Sequence, residues 1–244
     1  MSQYSTEAIL LAVRNWGEAD RMVTLFSREY GKIAAIAYGC RRPRSGLAGA
    51  IQAFNQVELS ITPGKALDTI KQCEIKHSFK QIREDLNIMS YAAFINELVV
   101  EFCPERQPEP HIYDLLLSAF SLISSRNPRL VASAAAWQLL TLAGYQPNLD
   151  NCVICGQNLT DKAFFSLDKG GSVCEKCDNN KLLGFDLSVR TFITNLMSID
   201  WDNPQSFSIN AATLIQSEKI LTNYLSYLLG KPLNSLEFIK QIHI

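Results

Sequence analysis

Four cysteines carry the plainest chemistry in the chain. Cys152-Val153-Ile154-Cys155 and Cys174-Glu175-Lys176-Cys177 are two Cys-x-x-Cys pairs, separated by residues 156–173. Two residues between paired cysteines let both sulfurs of one tight turn reach a single ion, and a hairpin spacer brings a second turn to its other side. The spacing lies in the zinc-ribbon window. Ala163 to Leu167 predicts a strand and Gly170-Gly171 a turn, as such a hairpin needs. Gly156, just after the first pair, suits the positive φ of a knuckle turn. A complete set of four thiolates leaves no open coordination position, so the expected Zn2+ is single and structural, and a module of about residues 149–180 depends on it for folding. The competing readings are two unrelated pairs or a thioredoxin-like redox Cys-x-x-Cys. Cys40, Cys73 and Cys103 read as small hydrophobes, and His77, His111 and His243 have no ligand partner at useful spacing.

Catalytic signatures are missing. Gly31-Lys32 and Gly230-Lys231 lack the upstream glycine and following Ser/Thr of a phosphate-binding loop. There is no His-Glu-x-x-His, no Gly-x-Ser-x-Gly and no acidic cluster suited to magnesium. The expectation is a protein without catalytic residues and without a small-molecule substrate.

A second constellation is electrostatic. The chain carries a net −1, but residues 1–80 hold 11 Lys/Arg and 7 Asp/Glu, a net +4, and the remainder holds 12 and 17, a net −5. Such asymmetry points a polyanion at the N-terminal part. Arg41, Arg42 and Arg44 sit on a loop with Ser45, Gly46 and Gly49, and their planar guanidinium forks suit phosphate contact. Arg14, Arg21, Arg28 and Lys32 lie nearby in sequence, interleaved with Trp16, Tyr30 and Tyr38. Cations with aromatic platforms are how OB-folds hold single strands. The aromatics remain open to two readings, base stacking or rim packing.

The elements that must position these residues change character near residue 80. Ala8–Val13, Met22–Phe26, Lys32–Tyr38, Val57–Ile61 and Leu67–Ile75 read as five short strands, the count of an OB-fold barrel. From residue 84 the apolar period is helical, with Leu86, Met89, Ala93, Leu98 and Phe102 near one stripe. Asn127-Pro128 predicts an N-cap and first-turn proline for a helix ending near Gly144. Leu187–Met197, Ala211–Leu229 (stopped by Gly230 and Pro232) and a short helix from Ser235 complete the series. The fold class is therefore α+β. An N-terminal OB-fold, residues 1–80, precedes an all-α domain, residues 81–244, with the zinc module embedded. No secretory signal or span of about 18 apolar residues is visible, and reduced cysteines suit the cytoplasm.

With these residues in place, the chain resembles the RecO family of bacterial DNA-repair proteins over nearly its whole length. The resemblance runs through Gly17-Glu18-Ala19-Asp20-Arg21, Thr24 to Lys32, Tyr38-Gly39-Cys40-Arg41-Arg42, Gly49 to Phe54, and Ile95-Asn96-Glu97-Leu98. It continues through Leu142-Ala143-Gly144-Tyr145, the cysteine module and Gly230 to Ser235. It implies a recombination mediator that binds single- and double-stranded DNA and anneals complementary strands. It also implies work with RecR and the single-strand DNA-binding protein (SSB) to help load RecA, at the bacterial nucleoid. Arg14, Arg21, Lys32, Arg41, Arg42 and Arg44 are then candidate DNA contacts. The helix that relatives use for the acidic SSB tail here carries the small run Ala132 to Ala136, which leaves Arg126 and Arg129 as candidate tail contacts. A zinc-ribbon and OB interaction module for RNA or transcription is the alternative.

Overall fold

The computed structural model describes residues 2–178, 183–203 and 210–242. Strands β1 (Tyr4–Trp16), β2 (Asp20–Ser27), β3 (Gly31–Ala37), β4 (Gln56–Thr62) and β5 (Asp68–His77) close a barrel in the order β1-β2-β3-β5-β4. This is the expected OB-like barrel. Its interior follows from strand alternation: Leu10, Leu25 and Ile33 lie opposite one another across three strands and face inward. Their neighbours Ile9 and Phe26 face outward, yet are equally buried, because the helices cover that side.

Leu11 shares the helix-covered face with Ile9, and a bulge interrupts the β1-β2 register between Leu10 and Ala12. It frees backbone groups that need partners. Leu10 exchanges hydrogen bonds with Phe54 N and Asn55 O at 2.7 and 3.0 Å, and the Leu11 carbonyl accepts Asn96 Nδ2 at 2.7 Å.

The helical part comprises α1 (Lys80–Glu84), α2 (Leu86–Phe102), α3 (Pro110–Ile123), α4 (Pro128–Leu142), α5 (Leu187–Met197), α6 (Ala211–Leu229) and α7 (Asn234–Ile242). Asp85, Asn127, Asp186 and Asn210 each cap the following helix through a side-chain oxygen. α2 is central, and its buried residues spread well beyond the single apolar stripe read from the sequence. Ser90, Tyr91, Phe94, Ile95, Asn96, Leu98 and Val99 are all buried, covering most of its circumference, while Leu86 of the expected stripe is exposed at its first turn. Phe120 on α3 meets Phe54 and Phe79 edge-on at 5.7 and 5.6 Å, so barrel and helices share one apolar cluster.

A strap between α2 and α3 crosses the barrel. Glu105 bridges Lys32, and Arg106 N donates to the Lys32 carbonyl at 2.9 Å. Arg106, at φ 56°, sends Nη2 to Asp68 Oδ1 at 2.8 Å. Asp68 is fully buried and also accepts Tyr4 OH at 3.0 Å. A Cβ on Gly31 would stand 1.9 Å from the Gln107 carbonyl oxygen, so only glycine admits the strap. The cysteine hairpin, β6 (Lys162–Ser166) and β7 (Gly171–Val173), gains a third strand, β8 (Leu183–Asp186), on the far side of β6. Among the described residues no helix is long and apolar enough to cross a membrane.

Candidate metal centre and nucleic-acid interface

Two tight turns face each other at the end of the β6-β7 hairpin. In the first, Gly156 N donates to the Cys152 carbonyl at 2.8 Å, with Gly156 at φ 74°. In the second, Cys177 N and Asp178 N donate to the Cys174 carbonyl at 3.0 and 3.1 Å. Close packing aligns the turns. Val153 N donates to Ser172 O at 2.8 Å, and a Cβ on Gly171 would lie 2.6 Å from Val153 Cγ1.

The Sγ atoms of Cys152, Cys155, Cys174 and Cys177 all lie within 4.8 Å of one another, and Cys155 and Cys174 stand 3.8 Å apart. A tetrahedron with metal–sulfur bonds of about 2.3 Å has an edge of about 3.8 Å, so these residues fit a tetrahedral thiolate centre and could hold a metal ion. Burial pushes the Cys152 thiol up, but backbone N–H groups of Cys174, Cys155 and Ile154 outweigh it and bring it down to about 6. Those donors favour the thiolate that a metal requires. The four cysteines are free, as are Cys40, Cys73 and Cys103; Cys40 and Cys103 are buried and Cys73 half-buried. His77 packs at a tilt against Phe79, His111 is exposed, and His243 and residues 179–180 of the expected module lie outside the described residues.

The basic residues divide into two groups. Residues 38–45 form consecutive turns leaning on the β1-β2 turn. Gly39 N donates to Asp20 Oδ1 at 2.7 Å, Arg41 N to Ala19 O at 2.8 Å, and Arg41 Nη1 to Glu18 O at 3.2 Å. Arg41, Arg42 and Arg44 are exposed there, with Arg44 in the left-handed region at φ 71°. Arg14, exposed on β1, rests its guanidinium on the Met22 sulfur, close in register to Trp16. Trp16 and Tyr38 flank this end of the barrel and are 47 % and 58 % exposed. Tyr30 lies elsewhere, its ring tilted against that of Tyr4 with centroids 4.5 Å apart.

The second group is used internally. Half-buried Arg21 donates Nη1 to the Ile51 carbonyl at 2.6 Å, Lys32 donates Nζ to the Val100 carbonyl on α2, and Arg28 pairs with Asp114 on α3 at 2.5 and 3.1 Å.

A groove of about 720 Å³ lies between α2, α4, α6 and α7. Arg129 lines it; Arg126 is exposed on the preceding turn and does not. Arg129 sends Nε and Nη2 to the two carboxylate oxygens of Glu218 on α6. Glu218 carries no local sequence signal. Its role comes from α6 packing beside α4, 89 residues away along the chain.

Known proteins are similar to both parts of the chain. Residues 1–79 match the family described as Recombination protein O N terminal, and residues 83–237 match Recombination protein O C terminal. The chain is 34 % identical to a DNA repair protein RecO of Symbiobacterium thermophilum, over 98 % of this chain and 97 % of that one. It is 32 % identical to one of Acetivibrio thermocellus, over 99 % and 98 %, and 31 % identical to one of Desulforamulus reducens, over 100 % and 96 %.

Proposed function

The chain belongs to the recombination protein O family of DNA-repair proteins, and from that premise we propose that it is a non-enzymatic mediator that binds and anneals DNA. The observation that carries this reading is the gathering of Arg14, Arg41, Arg42 and Arg44 with exposed Trp16 and Tyr38 at one end of the barrel. A non-glycine residue at positive φ costs about 1–2 kcal/mol. Keeping arginine at position 44 favours a use for its charge over turn stability.

Annealing needs no bond chemistry. Its barrier is the repulsion between two phosphate backbones, and clustered guanidiniums lower it by replacing condensed counterions. Exposed rings offer sequence-tolerant stacking to unpaired bases. Arg21 and Lys32, also candidate DNA contacts, contribute in this reading by fixing the barrel that presents the others. The four cysteines hold one Zn2+, which fastens the two turns; it supplies folding energy and no reaction.

In the same reading the chain acts in the bacterial cytoplasm, at the nucleoid during repair, with RecR, and helps load RecA onto SSB-coated single strands. The groove beside Arg129 takes the acidic tail of SSB: its apolar walls suit an aromatic residue and Arg129 a carboxylate, with Arg126 an outlying cation. Simultaneous contact with tail and strand raises the local concentration of both.

The deciding experiment is annealing of complementary oligonucleotides coated with SSB, comparing the wild type with the Arg41, Arg42, Arg44 triple alanine variant. Faster annealing by the wild type alone supports the reading. No acceleration by the wild type overturns it.

A further inference from the structure

The groove between α2, α4, α6 and α7 already contains a carboxylate. Tyr91, Phe94, Leu221, Leu233, Leu236 and Ile239 give it apolar walls, with Lys240 on the α7 side. Across it, the Arg129 guanidinium presents its fork to both oxygens of Glu218. The two side chains are 38 % and 24 % exposed, so the pair is neither fully solvated nor sealed.

We propose that Glu218 is a specificity-determining residue of this groove: it stands in for an incoming carboxylate and sets how strongly an anionic peptide must bind to take Arg129. The inference rests on the reading that the groove accepts an acidic tail. Three considerations support it. The donors engaged by Glu218, one Nε and one Nη, form the fork that bidentate carboxylate recognition uses. A half-buried guanidinium without a partner would be costly, so Glu218 keeps the charge of Arg129 compensated, and an isolated phosphate or neutral peptide gains little there. Finally, an entering carboxylate must displace Glu218 or share the guanidinium with it, at close range to a like charge. Only a ligand that adds apolar contacts and further charge, with Lys240 to receive some of it, offsets that loss. The apparent affinity is therefore reduced by the fraction of molecules in which Glu218 holds Arg129.

The test uses the full-length chain and a fluorescent peptide rich in aspartate that ends in a free phenylalanine carboxylate, read by anisotropy. Glu218→Gln keeps the shape and removes the charge; Glu218→Ala removes the acceptor altogether. Both are expected to tighten the peptide by roughly 3- to 10-fold, more at low salt. A control peptide with asparagine in place of aspartate and an amidated end is expected to bind all proteins alike. Adding Arg129→Gln to either variant should abolish the gain. If the wild type binds the acidic peptide and neither Glu218 variant binds it more tightly, the inference is overturned while tail docking stands. If neither the wild type nor the variants bind it, docking and inference fall together. Binding by the variants alone supports the inference in its strongest form.

Discussion

The carboxylate of Glu97, on α2, accepts the backbone N–H of Ser235 at 2.8 Å, and so caps a helix that begins 137 residues further along the chain. It also takes the Ser235 hydroxyl and both N–H donors of Asn234, at 2.9 Å for the backbone and 3.1 Å for the side chain. Lys231 adds an ion pair to Glu101, one turn later on α2, at 2.8 Å. α7 is thus held by its first turn, where a negative charge best satisfies unpaired N–H groups and the helix dipole. Glu97→Ala is expected to cost about 1–2 kcal/mol in chemical denaturation and to loosen the α7 wall of the groove, read as faster amide exchange in residues 234–242.

The same contact predicts a pH dependence. Burial pushes Glu97 up, but the donors of Ser235 and Asn234 outweigh it and hold the carboxyl below its ordinary value. A group whose pKa is lower in the folded state stabilises at pH above the unfolded value, about 4.3, and loses that contribution as pH falls through the folded one. Thermal melts of wild type and Glu97→Gln should differ at about pH 6 to 7 and converge as pH falls from the unfolded value through the lower folded one. A constant difference across that range would contradict the assignment.

Replacing Arg41, Arg42 and Arg44 with alanine should weaken single-strand binding and flatten the slope of log affinity against log salt by roughly 0.7 per lost phosphate contact. Titrations of oligonucleotides at several salt concentrations give that slope. An unchanged slope would place the phosphate contacts elsewhere. Matched DNA and RNA strands separate the DNA reading from an RNA module, since contacts to phosphate and ring faces do not require a 2′-hydroxyl.

Arg44→Gly separates charge from folding. Glycine removes the strain of φ 71° but adds backbone entropy to the unfolded chain. Stability should stay within about 1 kcal/mol of wild type while DNA affinity falls. A loss in both would mean that the arginine side chain holds the turn together.

Elemental analysis should return one zinc per chain, and Cys155→Ser or a strong chelator should remove it. The expected result is a local collapse of the hairpin with the barrel intact, because the barrel interior is built from its own strands. Retained order around Gly171 after metal removal, by amide exchange, would show that the module stands without it. A cycling disulfide in place of bound metal would favour the redox reading.

What could be read from sequence was local. The cysteine spacing, the Asn127 cap and the Gly230 stop all act within a few residues of themselves, and each appears in the structure. The five strands were visible as apolar runs, although β1 extends beyond Ala8–Val13 to Tyr4–Trp16 because β4 and β2 pair with its two ends. Hidden features depend on partners distant in sequence. Nothing near Lys32 announces that its amine reaches the Val100 carbonyl, and nothing near Arg21 points to Ile51. α1 is too short for a periodic signal. α2 is buried on most sides, so its apolar residues outnumber any single stripe. Trp16 and Tyr38 were ambiguous because exposure at a strand end is set by where the β1-β2 turn and the 38–45 turns meet.

The glycine at position 31 has a consequence for how the two ends of the molecule cooperate. Backbone lies against backbone there, and the neighbouring Ile9 and Phe26 are seated among helical side chains. The barrel is therefore seated against the helices through both backbone and side chains. In the proposed reading, a strand gripped at the arginine turns is carried at a heading set by this packing relative to a peptide in the groove, so the spacing between those two guests is dictated by the architecture and not by a tether.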